Sequence, residues 1–152
     1  MPKILVVDDQ PYILNVLSDF LFKQGYQVVL AESGEKAAQV VKGSEVQLAL
    51  IDLKLNGMDG IATMQKINQI NPQVLSIIIT GYSTQESSVQ ALKAGAYDYV
   101  TKPFKLEDLK KTIERALKEY QLRQEISDLK EKIRKMEEEL REYHSKNTKV
   151  LN

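Results

Sequence analysis

The stretch KILVVDD, Lys3 to Asp9, sets an unbroken run of Ile, Leu and Val directly against two aspartates. A run this short and this rich in β-branched residues reads as a strand buried on both faces, as parallel strands are. The pattern recurs down the chain: VQLALI (46–51) runs into Asp52, VLSIII (74–79) into Thr80, and AYDYVT (96–101) into Lys102. Carboxyl ends of parallel strands line up along one sheet edge, where open α/β folds place their sites. Asp8, Asp9, Asp52, Thr80 and Lys102 are therefore expected in one crevice. Such a set can bind a divalent cation and hold a phosphoryl group.

Between these runs the sequence reads as helix. Pro11 suits a first helical turn, and Ile13, Leu14, Leu17, Phe20 and Leu21 share one face until Gly25. Tyr26 to Ala31 forms a further strand. Ser33 with Glu35 marks a helix start and Lys42-Gly43 its stop. The turn-rich segment 54–60 precedes a helix with Ile61, Met64, Ile67 and Ile70 facing inward, closed by Asn71-Pro72. Ser83-Thr84-Gln85-Glu86 has capping-box spacing for a helix ending at Ala94-Gly95, and a last helix begins near Leu106. Five strands with right-handed crossovers predict an α/β fold, a doubly wound parallel sheet, over residues 1–120.

Composition excludes several classes. A chain of 152 residues with 43% apolar content fits one domain and an appendage. It has no cysteine, which removes disulfides, thiolate catalysis and Cys-ligated metals and makes the cytoplasm the plain expectation. Lys plus Arg equals Asp plus Glu at 21 each, so no net basic field draws in nucleic acid or an anionic membrane. The amino terminus, with its five-residue apolar run closed by aspartates, is read as neither signal peptide nor membrane span.

In its order Asp8-Asp9, Asp52, Thr80, Lys102-Pro103, the chain resembles the receiver domain of two-component response regulators, of the chemotaxis-regulator kind. The resemblance covers the first 120 residues or so. It implies a flavodoxin-like sheet of order 2-1-3-4-5, Mg²⁺ dependence, and transient phosphorylation of one aspartate by a sensor histidine kinase. Asp52 resembles the phosphoacceptor. Asp8, Asp9 and Asp52 resemble the metal ligands, to which the family adds a backbone carbonyl that falls on Lys54. Thr80 and Tyr99 resemble the switch pair, Lys102 the cation that neutralises the phosphoryl oxygens, and Pro103 the residue after a cis peptide bond. The readout face is expected on the fourth helix, fifth strand and fifth helix. Such a protein is no enzyme beyond its own phosphorylation and dephosphorylation.

Elementary electrostatics agrees with that assignment. Each carboxylate pair at 4 Å repels by about 1 kcal/mol in water and about 4 at an effective dielectric near 20, which a hard, oxygen-seeking cation would relieve. Asn56 departs from the proline frequent in the loop after the phosphoacceptor. Lys54 and Tyr82, two residues beyond Asp52 and Thr80, are expected to flank the attacking water and slow self-dephosphorylation. Gly57 and Gly60 read as turn glycines, since no glycine-rich phosphate loop surrounds them. His144, the only histidine, reads as a solvated position on a charged helix.

Residues 121–152 carry a separate signal. Leu122, Ile126, Leu129, Ile133, Met136, Leu140 and Tyr143 follow heptad spacing, continued by Asn147 and Val150. About thirty residues of helix reach roughly 45 Å, longer than a small domain's flank, which argues against a helix folded back on its own domain. Ile126, Ile133, Leu140 and Asn147 take position a, and Leu122, Leu129, Met136, Tyr143 and Val150 position d. β-branched residues at a with Leu at d favour two parallel strands. In a parallel pair Glu125 meets Lys130, Lys132 meets Glu137, and Glu139 meets His144. Lys118 against Arg123 is repulsive and places the start of the coil near Leu122. A parallel homodimer through a C-terminal coiled coil is therefore expected.

Competing readings remain open at this level. The chain can be the regulatory front of a longer regulator, a stand-alone single-domain regulator, or a dimeric scaffold that is never phosphorylated. An aspartate-nucleophile phosphatase of the haloacid dehalogenase type also pairs a doubly wound sheet with Mg²⁺. That class expects a second aspartate two residues after the nucleophile, where this chain has Lys54.

Overall fold

A computed structural model describes residues 1–151, with side chains through Thr148. Strands β1 (Lys3–Val7), β2 (Gln27–Ala31), β3 (Leu48–Asp52), β4 (Leu75–Thr80) and β5 (Asp98–Thr101) alternate with helices α1 (Pro11–Lys23), α2 (Gly34–Gly43), α3 (Gly60–Ile70), α4 (Gln85–Lys93) and α5 (Leu106–Leu151). The strands form one parallel sheet of order β2-β1-β3-β4-β5, the flavodoxin-like order that the family resemblance implies.

Alternation along each central strand divides the core in two. Ile4, Val6, Leu48, Leu50, Ile77 and Ile79 pack on the side of α1 and the first turns of α5, against Leu14, Leu17, Leu21, Leu109 and Ile113. Leu5, Val7, Ala49, Ile51 and Ile78 pack on the opposite side, against Ala37 and Val41 of α2 and Met64 and Ile67 of α3. Both faces of β1, β3 and β4 are thus covered, which is why those runs show no polar alternation.

Helix starts follow local chemistry. Pro11 occupies the first turn of α1, Ser33 Oγ accepts from Lys36 N–H to open α2, and the Asp59 side chain accepts from Ala62 N–H to open α3. At α4 the capping box lies one residue later than the sequence spacing suggests. Thr84 is the cap and Ser87 its reciprocal partner, in place of Ser83 with Glu86. The strand ends also move: β3 takes in Asp52, β4 takes in Thr80, and β5 begins at Asp98 instead of Ala96. In β3 and β4 ladder pairing carries the strand to the polar residue that follows its apolar run, so hydrophobicity alone stops a residue short there.

The chain divides into two compact units after Tyr120. The first holds the sheet and its helices. The second, from Gln121 onward, is helix throughout its described length, with Leu122, Ile126, Leu129, Ile133, Met136, Leu140 and Tyr143 each about half exposed or more, at 45 to 66%. Val150, assigned to the same seam, lies outside the described side chains. Among the described residues no helix is long and apolar enough to cross a membrane.

Candidate functional site

Sheet register builds the site. Val7 pairs with Ile51, so Asp8 and Asp52 follow at the same level on adjacent strands. Asp52 pairs with Ile79 and Thr80 with Thr101, which brings Thr80 and Lys102 to the same edge one row further on. Asp8, Asp9 and Asp52 each offer a carboxylate oxygen within 4.8 Å of the others.

Asp8 is only 3% exposed, and both of its oxygens are engaged. Oδ1 accepts from the Gln10 backbone N–H at 2.9 Å, and Oδ2 from Lys102 Nζ at 3.1 Å. The same ammonium stands 3.5 Å from Asp52 Oδ2, so Lys102 bridges two carboxylates. Its own N–H donates to the Thr80 carbonyl at 2.8 Å, and the Lys102–Pro103 peptide bond is cis.

The acidity of Asp52 departs from the ordinary. Burial pushes its carboxyl up, and the charge of Asp8 pushes the same way, while Lys102 and the Lys54 backbone N–H, at 3.4 Å, pull it down. Burial prevails. An anion held in this pocket at neutral pH gains from any further positive charge.

Two glycines shape the loop beside Asp52. Gly57 has φ +82, a left-handed turn that glycine adopts without cost. Gly60 lies so close under the Asp52 carbonyl and the Leu53 Cα that a Cβ would collide with both. Its N–H donates to the Leu53 carbonyl at 2.8 Å, folding the loop onto the strand end.

Thr80 is fully buried, and its Oγ1 accepts from the Tyr82 N–H at 3.1 Å, which leaves the hydroxyl proton to donate elsewhere. The Lys54 ammonium rests over the Tyr82 ring, 4.0 Å from its centroid. Residues two beyond Asp52 and two beyond Thr80 therefore touch each other. Tyr99 is half-buried and is not brought to the carboxylates: its hydroxyl lies 3.0 Å from Ser87 Oγ. Ser87 was not singled out from the sequence. The capping spacing could have pointed to it, but its bond to a residue twelve positions away could not be seen there. His144 is exposed.

A doubly wound sheet with three carboxylates, a lysine and a threonine at its carboxyl edge is the architecture of a receiver-type domain. Residues 4–114 match the response regulator receiver domain, and the chain belongs to that family. It is similar to the transcriptional regulatory protein ZraR of Escherichia coli strain K12, 43% identical over 114 residues that make up 75% of this chain and 26% of the relative. It is also similar to the nitrogen assimilation regulatory protein NtrX of Azorhizobium caulinodans, 34% identical over 84% of this chain and 29% of that one. The chain thus spans between a quarter and a third of the length of these relatives. Among solved structures, a CheY-like receiver domain protein from Methanospirillum hungatei superposes with a TM-score of 0.78 at 33% identity, over 81% of this chain and 98% of that one. NtrX from Brucella abortus in complex with ADP superposes with a TM-score of 0.80 at 33% identity, over 85% of this chain and 30% of that one.

Proposed function

We propose that this chain is a phosphoacceptor receiver that takes a phosphoryl group from a sensor histidine kinase onto Asp52. The observation that carries the proposal is the Asp8–Lys102–Asp52 arrangement, in which one partly buried ammonium spans two carboxylates at 3.1 and 3.5 Å beside a third. An Asp52 oxygen attacks the phosphorus of a phosphohistidine, the new O–P bond forms as the N–P bond breaks, and the imidazole leaves with the electron pair. Lys102 neutralises charge on the transferring oxygens. The product is an acyl phosphate, which Thr80 meets with its free hydroxyl proton.

Mg²⁺ fits the donor set. Hard oxygen ligands, a cluster within 4.8 Å and an Asp52 carboxyl pushed up by burial all favour an added cation there. Asp8, Asp9 and Asp52, with the Lys54 backbone carbonyl, would hold it. Bound there, it supplies positive charge to the phosphoryl oxygens. Asp9 and Asp52 would serve as ligands, and Asp8, held by the Gln10 N–H and Lys102, would add its charge to the set.

The switch is proposed to run from the phosphoryl group through Thr80 and Tyr99 to the face formed by α4, β5 and α5, and a parallel homodimer is proposed through residues 122–150. Supporting the dimer is the exposed heptad stripe; supporting a place within a longer regulator, which we propose to be its regulatory front, is the fraction of ZraR and NtrX that the match occupies. We propose a regulatory role with no catalysis beyond self-phosphorylation and its reversal, and a cytoplasmic setting.

Incubation with acetyl phosphate and Mg²⁺ followed by intact-mass measurement tests the reading. Wild type should gain the mass of one phosphoryl group and Asp52→Asn should not. No gain on wild type, or an equal gain on the variant, overturns it.

A further inference from the structure

We infer that Asn147 sets the direction in which two copies of this chain pair; the inference rests on the proposed homodimer. The candidate seam is a helix face with Leu122, Ile126, Leu129, Ile133, Met136, Leu140 and Tyr143 all exposed. The helix supports itself on the opposite side. Arg134, at heptad position b, donates to Glu131 at 2.6 Å and to Glu138 at 2.5 Å, both at position f. That network keeps the outer face solvated and leaves the apolar stripe for a partner.

A second copy fits this stripe better than an unrelated chain, because its flanking charges are self-complementary. In parallel register, Glu125 meets the second copy's Lys130, and Lys132 meets its Glu137. The charges do not choose the direction, however. An antiparallel alignment that sets Ile133 against the second copy's Met136 also brings Lys132 to Glu139, Lys130 to Glu137 and Glu125 to Lys146, all attractive. Neighbouring antiparallel registers, a heptad either way, oppose like charges at Lys132 or at Glu137 and Glu139.

The seam itself discriminates. Parallel strands stack each position on its own copy, so Asn147 faces Asn147 and the two amides hydrogen-bond. In the charge-matched antiparallel alignment Asn147 faces Leu122, and Ile126 faces Tyr143. An amide pressed against leucine loses its partner, and one unsatisfied buried polar group shifts an equilibrium by about tenfold or more. A single polar residue at position a is a known means of fixing register and orientation.

The absence of native cysteine makes the test clean. Ser145→Cys carries a nitroxide on the outer face in the full chain, with or without Asn147→Leu, and pulsed dipolar spectroscopy reads the distance while sedimentation reads the mass. Parallel strands hold the labels level; the antiparallel alignment separates them by about 30 Å along the axis. The Asn147-containing chain should be dimeric with one short distance. Asn147→Leu should remain dimeric and show both distances. A long distance with Asn147 present, or a single short one retained in Asn147→Leu, overturns the assignment. A monomer overturns the dimer beneath it, while leaving phosphorylation of Asp52 to its own mass test.

Discussion

The two units of this chain use the same residues to opposite effect. Leu50 and Ile51 in the sheet are at most 1% exposed, whereas Leu129 and Ile133 in the second unit are 57% and 55% exposed. The first unit completes its core within one chain and spends its charged residues on a site. The second holds its helix with outward ion pairs and leaves its apolar stripe unmatched. One unit is finished by folding; the other, if the proposed dimer holds, is finished by association.

Substitutions should separate the two along that line. The largest effect belongs to the core: Leu50→Ala should cost the receiver about 3 kcal/mol, read by chemical denaturation, because a buried side chain leaves a cavity. Ile133→Asp should instead leave receiver unfolding unchanged and turn a dimeric sedimentation mass into a monomeric one. Equal loss of receiver stability from both would erase the distinction.

Within the first unit the site should behave as the costly part. Saturating Mg²⁺, at about a hundredfold over its Kd, should stabilise wild type by about 2.7 kcal/mol. Without metal, Asp52→Asn should stabilise at neutral pH by roughly 1 kcal/mol, because the neutral amide escapes the burial penalty that prevails on the carboxylate. The pH dependence has a fixed sign. Because folding raises the Asp52 pKa, the folded chain holds that proton more tightly than the unfolded one, so ionising it costs stability. Its contribution therefore falls as pH rises from the usual carboxylate range through the raised one. Thermal melts of wild type and Asp52→Asn across that range should converge at the acid end.

The smallest expected effect is kinetic. Lys54→Ala and Tyr82→Ala should each shorten the lifetime of the acyl phosphate severalfold, by opening the contact now 4.0 Å long over the loop. An unchanged lifetime in both would remove any role for that pair.

Most of the fold was legible because buried parallel strands announce themselves. The apolar runs ending at Asp8, Asp52 and Thr80 located three neighbouring strands and the edge they share. What escaped were interactions that periodicity does not encode. Thr63, fully buried, donates its hydroxyl to the Asp59 carbonyl at 2.7 Å, and nothing in a helical pattern marks such a threonine as interior. Ser87 escaped likewise, since its partner Tyr99 lies across a strand crossover. The contact between Lys54 and Tyr82 was half legible: both positions stood out by their distance from Asp52 and Thr80, but their stacking needed the register of β3 on β4.

Ser87 answers to two neighbours at once. Its hydroxyl closes the first turn of α4 through the Thr84 N–H and lies 3.0 Å from the Tyr99 phenol. An inward swing of that ring would therefore strip a bond from the very group that staples the helix, and backbone amides there would exchange with deuterated solvent at a different pace. The molecule carries its own gauge: the protection of a few peptide protons near Thr84 would report, without any label, which way the tyrosine points.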